Sequence, residues 1–330
     1  MSLKFIGSSD PESGEPLLSD RLGSSSSSRT ETDRLPVRDS SGTRGPRPKQ
    51  RDEPSEVRPF LRWAGGKKWL VREIPQLFDI PYERYLEPFL GGASLFLHAH
   101  PSVAVISDFN HELMDCYREV AEDPNAVWEV YSRLVERHSP ASYLILRRSR
   151  PASGTERAAR LLYLNRSCFN GIYRVNRAGD FNVPLGTPRF RDLTQESLIE
   201  VSVRLRRAEI SSGDFQSITS RAEAGDLLVL DPPYCVDGNS ESFVRYNDRV
   251  FCWADQERLA SEARSAAKRG VRVIATNAAH TSILKLYPKE LFSLRTLFRT
   301  STVAGRNESR GRFSEVLIKS RNCGGGHEAA

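Results

Sequence analysis

The tetrapeptide Asp231-Pro232-Pro233-Tyr234, set directly after Asp226-Leu-Leu-Val-Leu230, constrains this chain more than any other feature. A short aliphatic run of this kind, closed by turn residues, reads as a fully buried strand. The two prolines fix φ and lack an N–H, so the backbone cannot close into a helix there, and the carbonyl of Pro232 is left as a free acceptor. Asp231 adds a carboxylate beside it, and Tyr234 adds a flat ring. Two acceptors and a stacking face suit the NH2 group of a planar amide or nucleobase. Such an amine is a poor nucleophile because its lone pair is drawn into the ring. Hydrogen bonds from both of its N–H groups favour a pyramidal nitrogen able to attack, with no proton abstraction beforehand. Stacking on Tyr234 contributes roughly 1–3 kcal/mol. The plainer alternative is a Pro-Pro turn after a core strand, and the neighbouring motifs decide between the two.

Upstream, Phe60-Leu-Arg-Trp-Ala-Gly-Gly-Lys-Lys68 is followed by Tyr85-Leu-Glu-Pro-Phe-Leu-Gly-Gly92. The second segment reads as a strand, a Gly-rich turn, and then a helix opening at Ala93-Ser-Leu-Phe-Leu-His98. This is the βα turn of a nucleotide-binding sheet, where glycine lets backbone approach a ligand. Glu87, at the strand end, suits the ammonium of an amino-acid-like cofactor. Val103-Ala-Val-Ile-Ser-Asp108 is a second buried strand whose acid suits ribose hydroxyls. Further on, Val271-Arg-Val-Ile-Ala-Thr276 reads as another strand, with Asn277 at its end. A Gly-rich turn alone is weak evidence. With Asp108 and the Asp-Pro-Pro-Tyr strand following in order, it gains specificity.

Taken together, Arg62-Trp-Ala-Gly-Gly-Lys67, Glu87-Pro-Phe-Leu-Gly91, Ser107-Asp-Phe-Asn110, Leu162 to Asn176, Gly179-Asp-Phe-Asn-Val-Pro-Leu-Gly186, Gly213-Asp-Phe215, Asp231-Pro-Pro-Tyr234 and Arg310 to Ile318 resemble the Dam-type (D12 class, α group) DNA adenine-N6 methyltransferases. The likeness covers about residues 58 to 320. It implies an α/β fold: a Rossmann-like S-adenosylmethionine-dependent methyltransferase sheet with an inserted, mainly helical DNA-recognition subdomain carrying a β-hairpin. It also implies site roles. Trp63 and Lys67 would contact S-adenosylmethionine or hold it beside the target. Glu87, Phe89 and Gly91 would wrap its methionine end, Asp108 its ribose, and Asp214 with Phe215 its adenine. Asp231, Pro232, Pro233 and Tyr234 would form the catalytic edge that holds the flipped adenine, with Asp231 also bordering the cofactor. Phe243 to Tyr246 and Phe251 to Gln256 lie where relatives carry a loop over the target base. One departure is Ala93, where many relatives carry a second glycine.

Charge is distributed in keeping with a polyanionic partner. The net charge is +6, and residues 126–207 hold 15 Arg, no Lys and 7 acids. Arginine favours bidentate contact with phosphates and guanine edges, although a charge run is commonly just a solvated face. Within this span, Asn165 to Gly186 alternates Asn, Arg, Tyr and Phe and reads as a hairpin turning near Ala178 and Gly179. Arg166, Asn170, Tyr173, Arg174, Asn176 and Arg177 are the candidates for DNA contact, whereas Phe169 and Phe181 read as core. Residues 1–55, with the run Ser24 to Ser28, read as a disordered tail. The catalytic domain is expected over 56–125 and 208–321, the recognition subdomain over 126–207, and a flexible end over 322–330.

Five scattered cysteines and six unclustered histidines imply no metal and no disulfide framework. No apolar run is long enough for a bilayer, and the N-terminus is too short in apolar residues for a secretory signal. The expected location is cytoplasmic, in a bacterial nucleoid or from a phage. The expected partner is double-stranded DNA, with a cognate restriction endonuclease as a second if the chain is half of a restriction system. Two other readings stay open on the residues: methylation of another planar amine (RNA adenine, cytosine N4 or protein glutamine), and a non-catalytic DNA-binding subunit of the same fold.

Overall fold

Leu227–Leu230 forms the centre of a seven-stranded sheet, and the burial of its neighbours explains why so many runs in this chain are apolar on every residue. In the computed structural model, which describes residues 57–176, 178–237, 251–300 and 312–323, the strands are β1 (Tyr85–Glu87), β2 (Ala104–Asp108), β3 (Ala208–Ser212), β4 (Leu227–Leu230), β5 (Arg272–Ala278), β6 (Phe292–Thr300) and β7 (Arg312–Ser320). Their order is β3-β2-β1-β4-β5-β7-β6. β1 to β5 pair in parallel, and β7 is antiparallel to both β5 and β6.

Parallel strands need crossovers, and these cover both faces of the sheet. Tyr85, Ile106, Leu227, Val229 and Ile274 point into one apolar cluster, whereas Leu86, Val105, Leu228, Leu230 and Val273 point into the other. The second face is closed by α8 (Gln216–Thr219), α9 (Trp253–Lys268) and α10 (Thr281–Leu286). On the first lie α1 (Lys68–Glu73), α2 (Ser94–Ala99) and α3 (His111–Glu122). Each core side chain of this size stabilises by roughly 1.5–3 kcal/mol when fully buried.

The β2 to β3 crossover is long. After α3 it runs through α4 (Pro124–Glu136), α5 (Pro140–Arg148), α6 (Gly154–Ser167) and α7 (Gln195–Leu205). The buried residues of these helices, such as Tyr131, Tyr143, Leu162 and Leu198, are continuous with the cluster beneath the sheet. α6 is buried over its last ten residues, Ala158–Ser167, so it serves as the spine of this region. Beyond it the chain reverses through Asn176 and Asp180. Asn176 N–H donates to Asp180 O at 2.9 Å, and one antiparallel bridge joins Val175 to Phe181.

Two expectations from the sequence need correction. Phe169 is 52% exposed rather than in the core, because Asn170 and Gly171 both take positive φ and turn the chain outward at that point. Asn277 lies inside β5 rather than at its end. Phe181 is buried as expected. The 1–55 tail, Arg177, the 243–246 segment and most of 322–330 lie outside the described residues.

Candidate active site

The chain enters at β1, moves outward to β3, and returns to β4 on the other side of β1. The crossovers therefore diverge between β1 and β4, and an open crevice at the carboxyl ends is where this architecture binds ligands. Glu87 ends β1, Asp108 ends β2, and Asp231 directly follows β4, so three carboxylates reach one edge.

The turn after β1 is built around the side chain of Trp63. Gly91 has φ +47, and an added Cβ would lie 3.1 Å from Trp63 Cδ1; at Gly92 it would lie 2.9 Å from Trp63 Cβ. Gly91 N–H donates to Asp108 Oδ2 at 2.9 Å, and Tyr117 Oη donates to Gly91 O at 2.9 Å. Asn110 N–H donates to Asp108 Oδ1, while the Asn110 side chain caps α3 by accepting from Leu113 N–H. Burial raises the Asp108 carboxyl above its ordinary pKa despite these donors. Ala93 adopts left-handed backbone, φ 58 and ψ 22, a conformation that costs a non-glycine residue roughly 1–2 kcal/mol.

Glu87 is only 2% exposed. Its Oε2 accepts from Tyr85 Oη at 2.7 Å, and no Lys or Arg among the described residues pairs with it. Burial drives its pKa well above the usual carboxylate range, with Asp231 and Asp108 adding to the effect. A buried carboxylate of this kind fits an incoming ammonium. Beside it, Phe89 lies 5.6 Å from Phe215 and 5.8 Å from Phe251, ring centre to ring centre, which forms an apolar wall. Arg258 lies 4.2 Å over the Phe215 ring and grips Asp214 with two hydrogen bonds of 2.8 and 2.7 Å. The pair lowers the Asp214 pKa and raises that of Arg258.

At the β4 end, Asp231 Oδ1 takes two donors: Lys67 Nζ at 2.8 Å and Thr276 Oγ1 at 2.6 Å. Among the described residues no donor reaches Asp231 Oδ2 or the Pro232 carbonyl. Lys67 is 4% exposed; it also donates to Gly65 O at 2.9 Å and lies 5.0 Å from the centre of the Tyr234 ring. Tyr234 Oη donates to Glu315 Oε2 at 2.7 Å. Burial, then the nearby Asp231 and Glu315 carboxylates, raise the Tyr234 pKa well above its normal value. Behind the motif, Gln256 and Asn277 exchange two side-chain hydrogen bonds of 3.3 and 3.2 Å, and Gln256 also reaches Pro233 O at 3.4 Å.

The candidates in the crossover divide between inside and outside. Arg166 is 4% exposed and donates to Phe60 O at close range. Tyr173 stacks on Trp63 at 5.3 Å and donates to Glu112 Oε2 at 2.7 Å, while Arg160 holds the other Glu112 oxygen at 2.9 Å. Arg174 donates to Asn182 Oδ1 at 2.7 Å. Asn170 and Asn176 are exposed. Asn165, not among the candidates, accepts from Arg62 N–H at 2.9 Å and donates to Arg62 O at 2.7 Å and Gly171 O at 3.1 Å. It ties the Trp63 segment to the turn that carries Asn170.

Sequence reading missed Thr276, Glu315 and Arg258 as parts of the site, and it gave Phe251 to a loop rather than to the wall beside Phe89. A single carboxylate directly before the apolar run Val316-Leu-Ile318 was a usable signal for Glu315. Nothing in the spacing pointed to Arg258, which reaches Asp214 from a distant helix.

The sheet order and the ring of carboxylates at its edge define a doubly wound α/β enzyme of the nucleotide-cofactor class. Comparison with known proteins narrows this. The chain belongs to the family of D12 class N6 adenine-specific DNA methyltransferases, which it matches over residues 63–300. A type II methyltransferase from Lactococcus lactis subsp. cremoris is 35% identical over 271 residues, spanning 79% of this chain and 95% of that protein. A DNA adenine methylase from Vibrio cholerae serotype O1 is 31% identical over 266 residues, again 79% of this chain and 95% of that one. A DNA N-6-adenine-methyltransferase of Escherichia phage P1 is 32% identical over 267 residues, which are 79% of this chain and 35% of the phage protein. Of the readings open on sequence, adenine methylation of DNA by an enzyme is the one that stands. The family depends on S-adenosylmethionine.

Proposed function

We propose that this site-specific DNA adenine-N6 methyltransferase works through the β4 edge, with Asp231, Pro232, Pro233 and Tyr234 holding a flipped adenine. The observation that carries this reading is the division of labour within the Asp231 carboxylate. Oδ1 is pinned by Lys67 and Thr276, which orients the group and leaves Oδ2 and the Pro232 carbonyl as a pair of acceptors for the two N6–H groups. With both N–H groups engaged, the nitrogen lone pair is released from the ring. Tyr234 supplies the stacking face.

S-Adenosylmethionine, when bound, supplies an electrophilic methyl group. Glu87 would hold its ammonium, Asp108 its ribose, and the wall of Phe89 and Phe215 its adenine, with Asp214 fixed beside them by Arg258. Gly91 would border the methionine end with Trp63 packed against it, and Trp63 and Lys67 would shape the floor between cofactor and base. Attack by N6 on that methyl, with the sulfur leaving as a thioether, would leave a surplus proton on N6. Asp231 is the carboxylate placed to take the surplus proton, which then passes to water.

Flipping is required because N6 is out of reach inside a duplex. The arginine-rich crossover, taken as the 126–207 recognition subdomain with its 165–186 hairpin, would grip the DNA. There Asn170, Asn176 and the exposed Phe169 form the outer set. Arg166, Tyr173 and Arg174 set the shape of the segment from within. Arg177 belongs to the proposed contacts by position in the sequence alone. The likeness to a type II methyltransferase supports a cognate restriction endonuclease as partner, and the action on DNA supports a cytoplasmic location. No helix among the described residues is long and apolar enough to cross a membrane, and no cluster there could hold a metal.

The test is transfer of tritiated methyl from S-adenosylmethionine to unmethylated genomic DNA, with nucleoside digestion and mapping of modified positions. Label in N6-methyladenine at a defined short sequence is expected. Label in N4-methylcytosine, or on RNA alone, would refute the reading.

A further inference from the structure

Glu315 is the one acid of β7 that reaches the catalytic edge, and the topology explains how. β7 runs antiparallel to β5, so its first residues, not its last, lie level with the carboxyl ends of β4 and β5. The register pairs Glu315 with Ala278 on one side and Leu297 on the other. A carboxylate in that position is 7% exposed, and burying a charge there is costly unless it is used. It accepts from Tyr234 Oη at 2.7 Å and lies 3.9 Å from Lys67 Nζ. Those are the two groups that frame the acceptor pair: Tyr234 by its ring, Lys67 by its hold on Asp231 Oδ1.

We propose that Glu315 is a positioning residue for methyl transfer, fixing the Tyr234 ring through its hydroxyl and steadying the Lys67 ammonium against Asp231. The inference rests on the reading of Asp231 and Tyr234 as the holders of the target adenine. The hydrogen bond to Tyr234 fixes the tilt of the ring on which the base stacks. The Lys67 contact keeps Asp231 turned so that Oδ2 faces the amine. Reactivity at N6 depends on both, so losing Glu315 should slow the chemical step and leave cofactor binding alone.

The test is a double-mutant cycle read by single-turnover methyl transfer to unmethylated genomic DNA, with enzyme and S-adenosylmethionine saturating. Glu315→Ala should slow the step by about 10- to 100-fold, the range expected for removing a hydrogen bond to a charged group. Glu315→Gln, whose amide oxygen still accepts from Tyr234, should slow it less. In a Tyr234→Phe background the Glu315→Ala effect should shrink several-fold, because the hydroxyl it holds is already gone. Cofactor affinity by calorimetry should stay within about twofold in every variant. Equal cost in both backgrounds, or a wild-type rate in Glu315→Ala, would overturn the proposal. Should the alanine variant not fold, the same cycle built on Glu315→Gln decides the question in its place. An active wild type with additive variants refutes the role of Glu315 alone, whereas a wild type that transfers no methyl to DNA refutes the reaction beneath it.

Discussion

Replacing Asn165 offers a quantitative test of how the cofactor turn is held to the crossover. Its side chain is buried and satisfies three backbone groups, Arg62 N–H, Arg62 O and Gly171 O. Truncation to alanine strands all three. Each buried group left without a partner costs about 1–3 kcal/mol, so the lower end of that range gives about 3 kcal/mol in total. For a domain near 250 residues, 1 kcal/mol moves the melting temperature by about 2–4 °C, so a fall of roughly 6–12 °C is expected. Aspartate in place of asparagine is the sharper variant. It can still accept from Arg62 N–H, but it sets an oxygen against the two carbonyls and should destabilise at least as much as alanine. Urea denaturation followed by tryptophan fluorescence reads the loss, and calorimetry reads the accompanying fall in S-adenosylmethionine affinity as Trp63 is released. A cost below about 0.5 kcal/mol for alanine, the level of an ordinary surface change, would show that the three contacts do not hold the segment.

Other consequences follow from the same geometry. Burial raises the Glu87 pKa above its ordinary 4.5, so the folded chain binds a proton there that the unfolded chain has released, and this site's contribution to stability falls as pH rises through that window. An ammonium placed on Glu87 restores the charge, so cofactor binding should release a proton at the acid end of the range. Calorimetry in two buffers of different ionisation enthalpy reads that release, and Glu87→Gln should abolish it. Phe169→Ala should leave cofactor affinity and folding unchanged while weakening DNA binding or methyl transfer by about tenfold, within the 1–3 kcal/mol that a stacking aromatic contributes; gel-shift titration alongside the transfer assay decides. Thr276→Val removes one of the two donors to Asp231 Oδ1 and should lower the single-turnover rate by about 10- to 100-fold, as loss of one hydrogen bond to a charged group implies, with a larger loss for Lys67→Met.

Most of the sheet was legible because burial on both faces leaves a plain mark. Runs such as Ala104 to Ser107 and Leu227 to Leu230, buried throughout, have nowhere to be but a parallel sheet, and the acids that follow them suit the way such sheets bind ligands. The turn at Gly91 was legible as a Gly-rich βα turn, but that a side chain there would meet Trp63 was not. What escaped was whatever the tertiary fold alone creates. Local spacing does not report that Arg166 donates to the Phe60 carbonyl or that Tyr173 spans Trp63 and Glu112. Phe169 read as core because it is aromatic, and a left-handed Asn170 turns it outward. Glu315 comes to Tyr234 and Thr276 to Asp231 through strand pairing over long sequence distances, which local spacing cannot report.

If Asp231 supplies an acceptor to the target amine, and is not merely an acid beside the site, its second oxygen must be needed for the reaction. Single-turnover methyl transfer to unmethylated DNA by Asp231→Asn, compared with wild type, tests this without a change of shape. Asparagine is isosteric and can present its oxygen to only one of two roles, either toward Lys67 and Thr276 or toward the amine. The expected rate is lower by at least about a hundredfold, as loss of a preorganised charged acceptor implies, with S-adenosylmethionine still bound. A variant that methylates adenine within a few-fold of the wild-type rate would contradict the role assigned to Asp231.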